Sequence, residues 1–298
     1  MRLLSSVGRF AWTHKLVTIS VVILMIVVTS AVFVHQLAPF DPYAQDVSLR
    51  NLPPMTDRGG GVHVLGTDAL GRDELSRLML GAQISLTVGV ASVLVSGLVG
   101  TVIGLIAGYY RGWFDDIVMR FVDLQMSVPS LLIALLVLYL AGPSFLNVVL
   151  VLAVTRWMVY ARVSRGLILS LREVLFVEAS RALGASDLRI IARHLLPNLL
   201  APLVVLATLE LAVMMLTEAS LSFLGLGIQP PESSWGLMLA EGREYLTSAW
   251  WLVAMPGLAI LFTALSVNII ATWLRSRSTR TLYARTGSEK ERPQSAAA

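Results

Sequence analysis

The sequence predicts an all-α integral membrane protein with six transmembrane helices, and three observations carry that prediction. Of 298 residues, 56% are hydrophobic and only 14% charged, a balance too apolar for an ordinary soluble domain. The apolar residues fall in runs of about 20, the length a helix needs to cross a hydrocarbon core roughly 30 Å thick. The basic residues gather at alternate ends of those runs, as the positive-inside rule requires of a multi-pass chain.

The elements follow in order. Residues 1–15 form a short basic start (Arg2, Arg9, Lys15), read as a cytoplasmic N-terminus. The first span occupies residues 16–38, its apolar core running from Leu16 to Val34. That core is long for a signal peptide and no small-residue cleavage site is evident, so it reads as an uncleaved anchor. Residues 39–83 are polar, with Pro53, Pro54 and three consecutive glycines from Gly59, and are expected outside the membrane. Gly66, Asp68, Gly71 and Asp73 supply turns and caps there, and Leu75, Leu78, Met79 and Ala82 recur at helical spacing, predicting a helix lying flat at the outer interface.

Residues 84–274 hold the other five spans. The second, Ile84 to Tyr109, carries Gly100, Gly104 and Gly108 at four-residue spacing, a small-residue stripe suited to close helix packing in lipid. GYYRGWFDD, from Gly108, is a tight turn with interfacial aromatics. Arg120 and Asp123 are spaced to pair on one helix face. The third span, about Leu124 to Leu140, is kinked by Pro129. Phe145 to Tyr160 form the fourth and continue as a basic helix. The fifth, Leu199 to Phe223, contains Glu210 and Glu218. Carboxylates inside a span face a cavity or a polar partner; a hydrogen bond across helices is favoured for both over a direct part in passage. The sixth, Trp250 to Leu274, has tryptophans at both ends, and residues 275–298 read as a disordered cytoplasmic tail. With both termini inside, 18 of the 23 Lys and Arg residues lie on the cytoplasmic side.

Between the fourth and fifth spans lies a polar, amphipathic stretch, residues 176–202, FVEASRALGASDLRIIARHLLPNLLAP. It reads as two short helices, Val177 to Leu183 and Asp187 to His194. Gly184 turns the chain between them, Ser186 or Asp187 caps the second, and Pro197 ends it. The stretch resembles the EAA loop of the permease subunits of binding-protein-dependent ABC importers. That pattern is E-A-A, three residues, G, nine residues, I, one residue, L-P, and it is met by Glu178, Ala179, Gly184, Leu196 and Pro197. Ser180 replaces the second alanine and His194 the isoleucine. The block from His63 to Gly89 is similar to the start of the second span in the dipeptide, oligopeptide and nickel permeases, with Gln83 where those usually have arginine.

The resemblance implies the type I ABC importer permease fold and a coupling elbow, with Glu178, Ala179, Ser180, Gly184, Ala185, Asp187, Leu196 and Pro197 facing an ATPase subunit. It implies a second homologous permease, two ATP-binding subunits, an extracytoplasmic substrate-binding protein and the lipids of a bacterial cytoplasmic membrane. Its solutes are dipeptides or oligopeptides, with nickel, opines or other small solutes as alternatives. A stand-alone channel or secondary transporter is the rival of a different class; it would leave the elbow without a purpose. The chain itself offers little chemistry. Neither lysine, Lys15 or Lys290, follows a glycine, so the G-K-[ST] of a phosphate-cradling loop is missing. There is no cysteine, the four histidines lack metal-ligand spacing, and no G-x-S-x-G elbow occurs. No cofactor, metal or nucleic acid is expected on this chain, ATP and Mg²⁺ belonging to the partner subunits.

Overall fold

The computed structural model describes residues 14–290. Among these, five helices are long and apolar enough to cross a membrane, and six spans result if one bent pair counts as a single crossing. Helix α1 (Lys15–Val32) has three buried residues along its length, so most of its surface is left to lipid. A short turn, Val34–Leu37, leads into the polar segment. There a hairpin, β1 (Thr56–Arg58) and β2 (Gly61–His63), pairs antiparallel. Left-handed glycines at Gly66 and Gly71 then bring the chain to α2.

Helix α2 spans Glu74–Tyr110, 37 residues without a break. Asp73 caps it, accepting from the Ser76 N–H. The separate interfacial helix expected before Ile84 does not exist: those residues are the first turns of α2. Its Gly81 serves packing, since a Cβ there would meet the Trp235 ring at 2.8 Å.

The glycine stripe of α2 faces α5 (Phe145–Leu171). A Cβ on Gly100 would strike the Trp157 carbonyl and one on Gly104 the Ala161 carbonyl. In lipid, association rests on such close approach and on interhelical hydrogen bonds, because tails are as apolar as leucine. Ser92 adds one, donating to the Val149 carbonyl at 3.4 Å.

The third crossing departs from expectation. Helices α3 (Gly112–Ser127) and α4 (Ser130–Ala141) meet at 88°, a break where a kink was expected. A proline forces the preceding residue out of helical conformation, and Val128 is extended at φ −100°, ψ 131°. Asp123 pairs with Arg162 of α5 instead of with Arg120, because α5 packs alongside α3 and offers a guanidinium there.

Two short helices, α6 (Leu175–Ala182) and α7 (Asp187–Ile190), form the elbow. The chain then passes through a wide π-type turn, Ile191–Leu195, into α8 (Leu196–Phe223). Pro197 therefore does not end the second elbow helix. It sits in the first turn of α8, directly after the π-type turn, whose wider bonding accommodates a residue without an N–H. Helix α9 (Trp235–Gly242) lies at the end of the bundle away from the elbow. Helix α10 begins at Trp251 and stays helical to Lys290, so residues 275–290 are not the disordered segment expected. Residues 291–298 of that tail lie outside the described ones.

Candidate functional site

The elbow is built from a few residues with divided duties. Glu178 in the first turn of α6 and Arg181 in its last both suit the helix dipole. Gly184 ends the helix in a Schellman motif: its N–H donates to Arg181 O at 3.0 Å, and the Ala185 N–H to Ser180 O at 3.1 Å. That motif needs a left-handed residue, and Gly184 has φ +82°. The space around it is open, so backbone conformation, and not crowding, selects glycine here.

Val177 and Ile190 are fully buried and pack with Leu105, Tyr109, Ile168 and Leu199. They anchor the elbow to α2, α5 and α8. On the outside, Leu175, Leu183 and Leu188 are 81%, 88% and 76% exposed, and Glu178, Ala179 and Pro197 are exposed beside them. Leu196 is on the margin of exposure and Ala185 is half-buried against the core. Three large apolar side chains thus protrude at a polar turn.

Ser180 and His194 depart from the loop pattern, and the fold brings them together. The Ser180 hydroxyl lies 3.4 Å from His194 Nε2 and donates to the Phe176 carbonyl at 2.8 Å. One departure accommodates the other.

Neither Ser186 nor Asp187 makes a side-chain cap on α7. Asp187 instead accepts from the Tyr109 hydroxyl at 2.5 Å, and Arg181 reaches the same hydroxyl at 3.4 Å. Arg172 donates to the Tyr109 carbonyl at 2.8 Å. The elbow is thus tied to the end of α2 as well as to α5 and α8. Sequence reasoning missed Tyr109, reading it as an interfacial aromatic; nothing local distinguishes it, for its partner is 78 residues away.

The two carboxylates of α8 have different surroundings. Glu218 is fully buried, accepting from Ser85 of α2 at 3.1 Å and from Ser222 at 2.7 Å. Ser222 in turn accepts from the Ile228 N–H, and Ser85 from the Trp235 N–H. Glu218 therefore pins α8 to α2 and to the loop before α9. Glu210 binds Arg156 of α5 in a two-pronged ion pair, both bonds 2.7 Å. Arg156 also went unremarked in the sequence, counted among the basic residues flanking the elbow; it lies inside α5, and a charge within a span is the signal that finds it.

Beyond the far end of α2, Asp68 accepts from Arg72 and Arg77, both at 2.6 Å, and Arg77 donates on to Glu241 of α9 at 2.7 Å. This closed ion network joins residues 68–77 to α9 and neutralises two of the basic residues that a simple charge count sets against the orientation given above. Among the described residues no group of acidic and histidine side chains is arranged to hold a metal.

Comparison with known proteins agrees with this geometry. Residues 100–280 match the binding-protein-dependent transport system inner membrane component family, and residues 9–54 match the N-terminal transmembrane domain of oligopeptide transport permease C. A putative peptide transport system permease protein of Brucella abortus is 42% identical over 268 residues, covering 90% of this chain and 88% of that one. The di/tripeptide transport system permease protein of Pseudomonas aeruginosa is 40% identical, covering 85% and 84%. A glutathione transport system permease protein of Escherichia coli is 38% identical, covering 90% and 86%. Among solved structures, an amino acid ABC transporter crystallised with histidines superposes with a TM-score of 0.52 at 16% identity over 68% of this chain and 94% of that one; at that identity it speaks to the fold alone. A polytopic helical bundle bearing an EAA-type elbow, matched by a family model over most of its length and by full-length relatives, belongs to the inner-membrane permease components of binding-protein-dependent ABC transport systems.

Proposed function

We propose that this permease passes short peptides into a bacterial cell, coupled through its elbow to ATPase subunits. The observation that carries the coupling is the elbow's two-sidedness: Val177 and Ile190 are locked into the bundle while Leu175, Leu183 and Leu188 protrude. The peptide assignment is supported by relatives named for peptides, for di- and tripeptides and for glutathione, itself a short peptide. The partners are a second homologous permease, two ATP-binding subunits and an extracytoplasmic binding protein. The chain sits in the cytoplasmic membrane with both termini and the elbow on the cytoplasmic face, the orientation that places 17 of 23 Lys and Arg residues inside, with Arg156 set within a span.

In this reading the chain performs no covalent chemistry and binds no cofactor; ATP and Mg²⁺ act on the partners. Closure of the ATPases on ATP moves the elbow, with Glu178, Ala179, Ser180, Gly184, Ala185, Leu196 and Pro197 on or beside the docking face. Through the Tyr109–Asp187 bond and the packed Val177 and Ile190, the movement reaches α2, α5 and α8 together. The bundle then exchanges an opening on one side for an opening on the other, driven by the difference in ATPase contacts between two states.

Uptake of labelled dipeptides, a longer peptide and nickel by cells lacking the chain, with and without a restoring copy, tests the assignment. Peptide uptake is expected to disappear and to return with the copy. Unchanged peptide uptake alongside lost nickel uptake would overturn the peptide reading while leaving the permease intact.

A further inference from the structure

Arg156 stands 11 residues into α5 and Glu210 13 residues before the end of α8. At 1.5 Å per residue these are about 16 Å and about 20 Å from the ends of the bundle opposite the elbow, close to the middle of a hydrocarbon core about 30 Å thick. The Glu210 carboxylate is buried, but the Arg156 side chain is 23% exposed. A guanidinium open to lipid at that depth is strongly unfavourable, so its open side faces water or protein. The bidentate contact with Glu210 uses two of its five N–H donors, and among the described residues the others have no protein partner.

A second observation falls on the same turn of α5. Gln125 of α3 donates to the Val154 carbonyl at 2.6 Å and accepts from Trp157 Nε1 at 3.1 Å, straddling Arg156 in sequence. Three residues on, the chain breaks at Val128 and Pro129 with both residues exposed. Irregular backbone at membrane depth is tolerated only where protein buries it or where it lines a water-filled cavity. A half-open ion pair and a half-buried amide thus fall on one turn of α5, with a broken span three residues beyond the amide.

We propose that the Arg156–Glu210 pair is where this chain contacts the charged ends of a peptide in transit. The proposal rests on the peptide reading above. A free peptide presents a carboxylate and an ammonium, which Arg156 and Glu210 match in sign; each binds one end as the pair parts, so that neither protein charge is left bare.

The test uses the complete complex in liposomes with its binding protein, comparing one peptide with both ends free, with its carboxyl end amidated and with its amino end acetylated, each normalised to binding-protein loading. Arg156→Gln leaves a lone carboxylate and is expected to slow the two peptides that keep a free carboxylate about tenfold relative to the amidated one, the scale of one charge-assisted hydrogen bond. Glu210→Gln is expected to slow the two that keep a free ammonium relative to the acetylated one. Should the single variants fail to assemble, the double variant Arg156→Gln, Glu210→Gln leaves no unpaired charge. It is expected to keep ATP hydrolysis stimulated by the loaded binding protein while losing about tenfold in peptide moved per ATP. Equal slowing of all three peptides by each single variant, or undiminished transport per ATP by the double variant, would show a merely structural pair and overturn the proposal. Failure of the wild-type complex to move any peptide would instead overturn the reading on which it rests.

Discussion

Gly104→Leu is expected to abolish the stable bundle. A side chain at that position would occupy the space of the Ala161 carbonyl, and the neighbouring Gly100 stands in the same relation to Trp157. Both obstacles are backbone, so only separation of α2 from α5 relieves the clash. Overpacking in a well-packed interior costs about 1–3 kcal/mol where side chains can shift; against fixed backbone the cost lies at or above the top of that range. No hydrophobic driving force brings the separated helices back together, because the tails are as apolar as the helix faces they cover. Thermal unfolding in detergent should show the destabilisation, with Gly166→Leu on α5 as control, because a Cβ there meets nothing within 4 Å. Equal stability of the two variants would mean that the glycine stripe does not set the α2–α5 approach.

Gly184→Arg is expected to leave the spans folded and to uncouple transport from ATP hydrolysis. The left-handed φ costs a non-glycine residue roughly 1 kcal/mol, too little to unfold a bundle whose packing lies elsewhere. The Schellman turn would distort, however, and an added charge would project among Leu183 and Leu188 into the docking face. In a reconstituted complex, ATP hydrolysis should persist while peptide moved per ATP falls close to zero. Gly184→Asn, which tolerates the left-handed region, should retain most coupling. Normal transport by the arginine variant would remove the elbow from the mechanism.

How much of this was legible depended on the range of the interactions. Runs of apolar residues located the five long apolar helices, and the glycine spacing located the helix face that packs, because both are readable along one helix. The elbow's turn at Gly184 was readable for the same reason, being a local conformational need. Breaks were harder. Pro129 was visible, but whether a proline kinks or breaks a helix depends on what holds Val128 extended. Pro197 looked like a stop and proved to be a start, since the π-type turn before it keeps the chain helical. The partners of Asp187, Glu210 and Asp123 lie 78, 54 and 39 residues away, and only tertiary packing pairs them. Arg156 could still have been flagged: a basic residue inside an apolar run, matched by a carboxylate in the next span, is a sequence-level signal. The compensation between Ser180 and His194 was hidden because each was judged against a pattern and not against the other.

The elbow's outer leucines are expected to seat on an ATP-binding subunit. The chain contains no cysteine, so a single cysteine introduced at Leu188 reports without background. In membranes holding the whole complex, a short bifunctional thiol reagent should join Leu188→Cys to an ATP-binding subunit carrying cysteines along its membrane-facing groove. Leu140→Cys, equally exposed but on α4, should give no such product. A thiol at position 188 that stays open to a water-soluble maleimide in the assembled complex, and cross-links to no ATP-binding subunit, would contradict the account.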